Sequence, residues 1–340
     1  MDNTTILKIR DLGFQWETNN PFLFCVHHDD AYPRGNSKMG PDASLEGRRI
    51  GNDFDLKDGW RMYHGSKIPG FPVHPHRGFE TVTIVLKGLV DHSDSMGASG
   101  RYGHGDVQWM TAGAGMQHAE MFPLVHEEKE NPLELFQIWL NLPAEDKFVK
   151  PYYKMLWKED IPKQKLKDGN GKIIEITVVA GSLDGLEAVP PAPDSWAAKA
   201  ENEVAIWLIS MEAQSKWKLP PASGQASRSL YFYKGSKITI SGEEISSYKA
   251  IDLQASQSVS LENGPDESHF LLLQGRPIEE QVVQYGPFVM NSQAEIQQAM
   301  DDYRKTQFGG WPWPRPDQVH GHERGRFARY SNGEEELREG

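Results

Sequence analysis

Cysteine is nearly absent: Cys25 stands alone among 340 residues. That excludes an intramolecular disulfide and any Cys-rich zinc module, and it fits a reducing compartment. Long apolar runs are missing too. No stretch approaches the roughly 18 uninterrupted apolar residues of a membrane span. The opening, MDNTTILKIRDLGFQW, has neither the basic nor the apolar region of a secretion leader. The chain is therefore expected to be soluble, away from membranes and cytoplasmic, or nuclear in a eukaryotic cell. A surplus of positive charge is lacking, since 36 Lys and Arg stand against 48 Asp and Glu, a net charge of −12. Direct nucleic-acid binding depends on neutralising phosphates and has little basis here, so any role at DNA would run through a partner protein. The charge and the scarcity of apolar surface signals point to a monomer.

What is present is a succession of short runs rich in Val, Ile, Phe, Trp and Thr, punctuated by Gly, Pro and Asp. TVTIVLKG at 81–88 and LELFQIWLNL at 133–142 stand in the first half, and VAIWLISM at 204–211, SLYFYKGSKITI at 229–240 and SHFLLLQG at 268–275 in the second. This pattern predicts β-sandwiches or barrels rather than strands alternating with helices. Length predicts about two domains. The expected organisation is an N-terminal domain over 1–160, a connecting segment with the Pro-rich AVPPAPDSW over 161–194, a second β domain over 195–308, and an irregular tail over 309–340. IVLKG ending at Gly88 and YFYKG ending at Gly235 suggest an internal duplication. One helix signal stands out: Ser292 with Glu295 forms a capping box ahead of IQQAMDDY, where Ile296, Met300 and Tyr303 share a face. The tail, rich in Gly, Pro and charge, is expected to lie on the surface through Trp311 and Trp313.

The chemistry resides in two pairs of matching spacing. His74 and His76 form H-x-H, and residues i and i+2 of a strand point to one face, so both imidazoles can reach one ion. After the turn-rich TAGAGMQ comes His118 with Glu120. A lone H-x-H is ordinarily two surface histidines. A second pair in the same β domain turns the reading toward a four-ligand metal site of His74, His76, His118 and Glu120. Imidazole with carboxylate suits Fe, Mn, Ni, Cu or Zn, whereas Ca or Mg would call for more oxygen ligands. His27 and His28 beside Asp29 and Asp30, and His320 and His322 in the tail, are adequately explained as solvated or hydrogen-bonded side chains.

HPHRGFETVTIVLKG at 74–88, GDVQWMTAGAGMQHAEMF at 105–122 and QYGPFVMN at 284–291 resemble the pirin family of the cupin superfamily, and the likeness extends over roughly residues 6–308. It implies an all-β bicupin, two jelly-roll barrels facing each other, with a short C-terminal helix. It also implies one divalent metal ion in the N-terminal barrel, foremost Fe(II), on His74, His76, His118 and Glu120. By the same resemblance Glu80 stays outside the first ligand sphere. The second barrel, with His269 as its lone candidate, is expected to be metal-free.

Two activities follow from the resemblance. One is a quercetin 2,3-dioxygenase, which opens the central ring of a flavonol with O2 and releases carbon monoxide, with Glu120 as catalytic base. Phe71, Phe79, Trp109, Met110, Met116 and Phe122 are candidates for lining its cavity, although each singly reads as ordinary core. The other is a non-enzymatic, iron-dependent redox-sensing regulator that acts through a protein partner, as a transcriptional co-regulator or a modulator of a metabolic enzyme.

Overall fold

The expected strands form because their side chains alternate. In Ile173–Ala180, Ala205–Met211, Ser227–Lys234 and Ser268–Gly275, alternate residues enter one apolar core, among them Ile174, Ile176, Trp207, Ile209, Leu230, Phe232, Phe270 and Leu272. A strand with one face on a core requires this period of two. The computed structural model describes residues 5–339. Among these, strands dominate and Gln293–Thr306 is the one α-helix. No helix among them is long and apolar enough to cross a membrane.

The chain divides into two compact units. One takes the residues up to Val26, Ile138–Asn141 and Glu159–Glu279; the other takes His27–Gln137, Leu142–Lys158 and the residues from Glu280 onward. The division falls inside the strands Phe22–Tyr32 and Asn131–Asn141, and it leaves the Pro-rich stretch within the first unit.

In the first unit a seven-stranded sheet includes Ile6–Asp11, Lys249–Leu253, Ser227–Lys234, Ser268–Gly275, Ala205–Met211, Ile173–Ala180 and Lys163–Lys167, in that order. A four-stranded sheet of Lys216–Leu219, Val259–Asn263, Lys237–Ile240 and Glu243–Ser246 supplies Leu219, Val259, Leu261, Ile238 and Ile245 to the same core. Each large apolar side chain so buried contributes roughly 1.5–3 kcal/mol. Packing of this kind holds a sandwich together without help from a metal.

The second unit carries the motif residues. One of its sheets has the order Glu335–Arg338, Arg326–Arg329, Ser99–Gly103, Leu89–Asp94, Met116–Met121, Gly70–His76, antiparallel at every pairing. The strand carrying His74 and His76 is therefore an edge strand. Its core includes Tyr32, Tyr63, Val85, Val90, Tyr102, Phe122, Leu124 and Tyr153. The helix begins as its capping box predicts: Ser292 accepts from the backbone N–H of Glu295, and the Glu295 carboxylate accepts from that of Asn291 at 2.9 Å. Ile296 and Ala299 are its buried residues, with Met300 and Tyr303 partly covered. Arg77 pairs with Asp302 at 2.7 Å and Tyr303 donates to Gln117 at 2.9 Å, so the helix belongs to the unit that carries the motifs.

The tail is more ordered than its composition predicts. Arg326–Arg329 and Glu335–Arg338 form a hairpin that extends the sheet, with Phe327 opposite Arg101 and fully buried. The cause is tertiary. Arg101, itself buried and paired with Asp91 at 2.7 Å, donates to the carbonyl oxygens of His320, Gly321 and Arg324. These contacts gather an otherwise irregular segment onto the sheet. Of the two tryptophans, Trp313 donates to the Asp94 carbonyl at 2.8 Å and Trp311 to that of Arg315 at 2.8 Å.

Candidate metal centre

Three neighbouring strands build the site. Gly70–His76 pairs with Met116–Met121 so that His74 lies opposite His118, and a register shift between Phe71 and His74 puts Phe71 opposite Glu120. Leu89–Asp94 flanks the other side, with His92 opposite Glu120 and Asp94 opposite His118. Gly70 is required at the head of the first strand. Its φ is +127°, and a Cβ there would come 2.5 Å from the Glu120 carbonyl oxygen.

The three imidazoles converge. Ring centroids are 4.4 Å apart for His74 and His118, 4.8 Å for His74 and His76, and 4.9 Å for His76 and His118. One ring nitrogen from each lies within 4.8 Å of the others. His76 and His118 are buried and His74 is half-buried. Burial lowers all three pKa values, that of His74 to about 4, and the positive charges the rings would place on one another add to the effect for His76 and His118. All three are neutral at physiological pH, the form in which imidazole ligates. His74 donates through Nδ1 to the Pro72 carbonyl at 2.9 Å, which leaves Nε2 with its lone pair free, an arrangement common for metal-bound histidines. Both ring nitrogens of His118 are buried without a hydrogen-bond partner. An unsatisfied buried polar group costs about 1–3 kcal/mol, a cost that a cation on the unprotonated nitrogen would relieve. The donor set fits a transition-metal cation.

Glu120 adjoins this group on the side of His118. Its Oε2 is 3.9 Å from His118 Nε2 and accepts from Gln137 Nε2 at 2.6 Å, while Oε1 accepts from Thr83 at 3.1 Å and Tyr102 at 3.3 Å. Burial raises its pKa, against the opposing influence of His92, Gln137, Thr83 and Tyr102. These surrounding residues escape sequence reasoning. The H-S-D spacing at 92–94 was visible, but its pairing opposite Glu120 was not. Gln108 donates to His92 Nδ1 at 3.2 Å, so Nε2 carries the proton toward Asp94, also at 3.2 Å, and the ring stacks on Tyr153 with centroids 4.8 Å apart.

The remaining candidates lie elsewhere. Glu80 is buried and accepts from Trp109 at 3.0 Å and Thr111 at 2.7 Å. Phe79 and Phe71 stand 5.0 and 6.4 Å from the His76 and His74 rings, and Met110 packs with Met116 in the core. Phe122 borders a cavity of about 700 Å³ whose lining includes Tyr32, Leu89 and Leu124 but none of the three histidines. His28 is buried against the Tyr63 hydroxyl at 2.6 Å, His27 meets Glu134 at 3.3 Å, and His320 Nε2 donates to the His92 carbonyl at 2.9 Å. His322 lies 3.3 Å from Glu323, and His269, in the first unit, pairs with Glu267 at 2.9 Å.

Known families match both halves of the chain. The Pirin model covers residues 10–140, and the Pirin C-terminal cupin domain covers 206–309. The chain belongs to the pirin family. A Pseudomonas aeruginosa relative named "Putative quercetin 2,3-dioxygenase" is 37% identical over 241 residues, 70% of this chain and 79% of that protein. Human pirin is 35% identical over 259 residues, 73% of this chain and 80% of its own length. Among solved structures, a quercetin 2,3-dioxygenase from Acinetobacter baumannii superposes with a TM-score of 0.69 at 24% identity, over 90% of this chain and 98% of that one. At that identity the likeness shows the fold alone: this pirin is a bicupin, all-β with one short C-terminal helix.

Proposed function

We propose that this pirin is a metal-dependent dioxygenase that opens the central ring of quercetin-like flavonols with O2 and releases carbon monoxide. The observation that carries the reading is a buried carboxylate set against three converging neutral imidazoles: Glu120 Oε2 lies 3.9 Å from His118 Nε2. The relative named for this activity supports it. A divalent metal on His74, His76 and His118 with Glu120, Fe(II) foremost and Mn, Ni, Cu or Zn as alternatives, supplies Lewis acidity at the substrate's 3-hydroxyl and a means of activating O2.

The chain's own residues do the rest. Glu120, the buried carboxylate beside the imidazoles, takes the 3-hydroxyl proton. Gln137, Thr83 and Tyr102 hold that carboxylate by hydrogen bonds that also keep its orientation once it is protonated. Both atoms of O2 end on the carbons flanking the hydroxyl-bearing carbon. That carbon leaves with its oxygen as carbon monoxide, and the proton held by Glu120 returns to the carboxylic product.

The test is turnover by protein loaded with Fe(II), Mn(II), Ni(II) or Cu(II), following loss of quercetin absorbance and release of carbon monoxide beside a Glu120→Ala control. Metal-dependent turnover that disappears in the control supports the reading. No turnover from protein holding one ion per chain overturns it in favour of a redox-sensing regulator with a protein partner.

A further inference from the structure

The unit without the histidine triad contains a cavity of about 560 Å³, lined in part by the Pro-rich stretches 188–191 and 220–222. That volume is within the range of small-molecule sites. Arg228, on the strand Ser227–Lys234, forms part of its wall and is only 3% exposed. Its Nε donates to Gln274 Oε1 at 2.7 Å and its Nη1 to the Pro220 carbonyl at 2.7 Å. Gln274 is fixed in turn, because its Nε2 donates to the Glu203 carbonyl at 3.0 Å. The guanidinium is thus anchored by two neutral acceptors.

Its other donors are unused. Nη2 has no hydrogen-bond partner among the described residues, so the Nη1–Nη2 fork retains N–H groups for a ligand. Glu203, the acid that acts on Arg228 electrostatically, is itself engaged by the backbone N–H of Ser223 at 3.1 Å and by its hydroxyl. Burial, partly offset by Glu203, holds the Arg228 pKa down to about 10. Trp207 lines the same cavity, is 3% exposed, and has a buried indole N–H with no acceptor among the described residues. A buried cation whose acidic neighbour Glu203 is already engaged by Ser223 is an arrangement that a further carboxylate would relieve, and a guanidinium fork matches a carboxylate in two parallel hydrogen bonds.

We propose that this cavity binds a small organic monocarboxylate, with its carboxylate on the Arg228 fork and its apolar body against Val204, Ala205 and the lining prolines. Among the exposed charged residues that also line the cavity, Asp184 and Glu187 outnumber Lys199, so a second carboxylate on the ligand would face a net negative rim. The site is separate from the histidine triad and does not depend on the dioxygenase reading.

Isothermal titration of the full chain with benzoate tests the proposal, with benzamide as the neutral match and succinate as the dicarboxylate. Saturable one-to-one binding of benzoate is expected, at least about tenfold weaker for benzamide, for succinate and for Arg228→Gln, since losing a charge-assisted pair costs that much or more. His118→Ala should bind benzoate as the parent does. No benzoate binding up to about 10 mM, equal binding of benzamide, or unchanged binding by Arg228→Gln overturns the proposal. So does loss of binding in a folded His118→Ala, which would assign benzoate to the triad. If Arg228→Gln does not fold, the comparison of benzoate with benzamide on the parent chain decides alone.

Discussion

His74 and His118 face each other across an antiparallel pair of strands with their ring centroids 4.4 Å apart, although 43 intervening positions separate them in the chain. Each is backed differently: Nδ1 of His74 donates to a backbone carbonyl, whereas neither nitrogen of His118 has a hydrogen-bond partner among the described residues. A divalent ion would satisfy both rings at once.

Replacing His118 with Ala should abolish stoichiometric metal binding, read by elemental analysis, while far-ultraviolet circular dichroism stays that of the parent. Most of the core is apolar side chains packed on one another, such as Phe232 stacked on Phe270 at 4.7 Å. Global unfolding of the variant would show that the imidazole cluster is structural.

Glu120→Gln should lower kcat for quercetin about 10²–10⁴-fold, the usual worth of a positioned base, with metal content largely retained on the three histidines. Retained turnover would remove Glu120 from the proton transfer.

Lys147 gives a sign-defined pH effect. It is buried, donates to the carbonyls of Gly78 at 2.8 Å and Val289 at 3.1 Å, and burial lowers its pKa to about 8. Between pH 8 and the unfolded value of 10.5, the unfolded chain binds the proton that the folded chain has released, so Lys147 makes stability rise with pH across that window. Denaturant midpoints measured from pH 8 to 10 should therefore show a positive contribution that Lys147→Met lacks. Parallel pH profiles for the two proteins would contradict it.

The tail hairpin depends on Arg101. Arg101→Met takes the guanidinium from buried Asp91 and one donor from each of three tail carbonyls, and should cost about 3–5 kcal/mol in unfolding free energy. Limited proteolysis should then cut between residues 309 and 325 earlier than in the parent. A tail equally resistant in both would mean that buried Phe327 and the ion pair of Arg326 with Asp106 at 2.7 Å suffice to hold it.

Phe232→Ala, in the centre of the other unit, should lower stability by about 3–5 kcal/mol through the cavity it leaves. The metal content should not change, and its loss would reveal a coupling between the units that the packing of Phe232 does not suggest.

Much of this was legible in the sequence because it is local. Alternating apolar runs specified strands, Ser292 with Glu295 specified where the helix starts, and the repeated i, i+2 spacing singled out His74, His76, His118 and Glu120. What the tertiary structure decided is everything that depends on pairing between distant segments. The register that sets His74 against His118, the approach of Glu120 to the triad, and the attachment of His92, Gln137 and Tyr102 around it arise from strands that no periodicity assigns to one another. The tail misleads for the same reason. Its Gly, Pro and charged residues carry no strand propensity, and the hairpin forms because Arg101 offers a buried fan of donors to its carbonyls, a contact spanning more than two hundred residues.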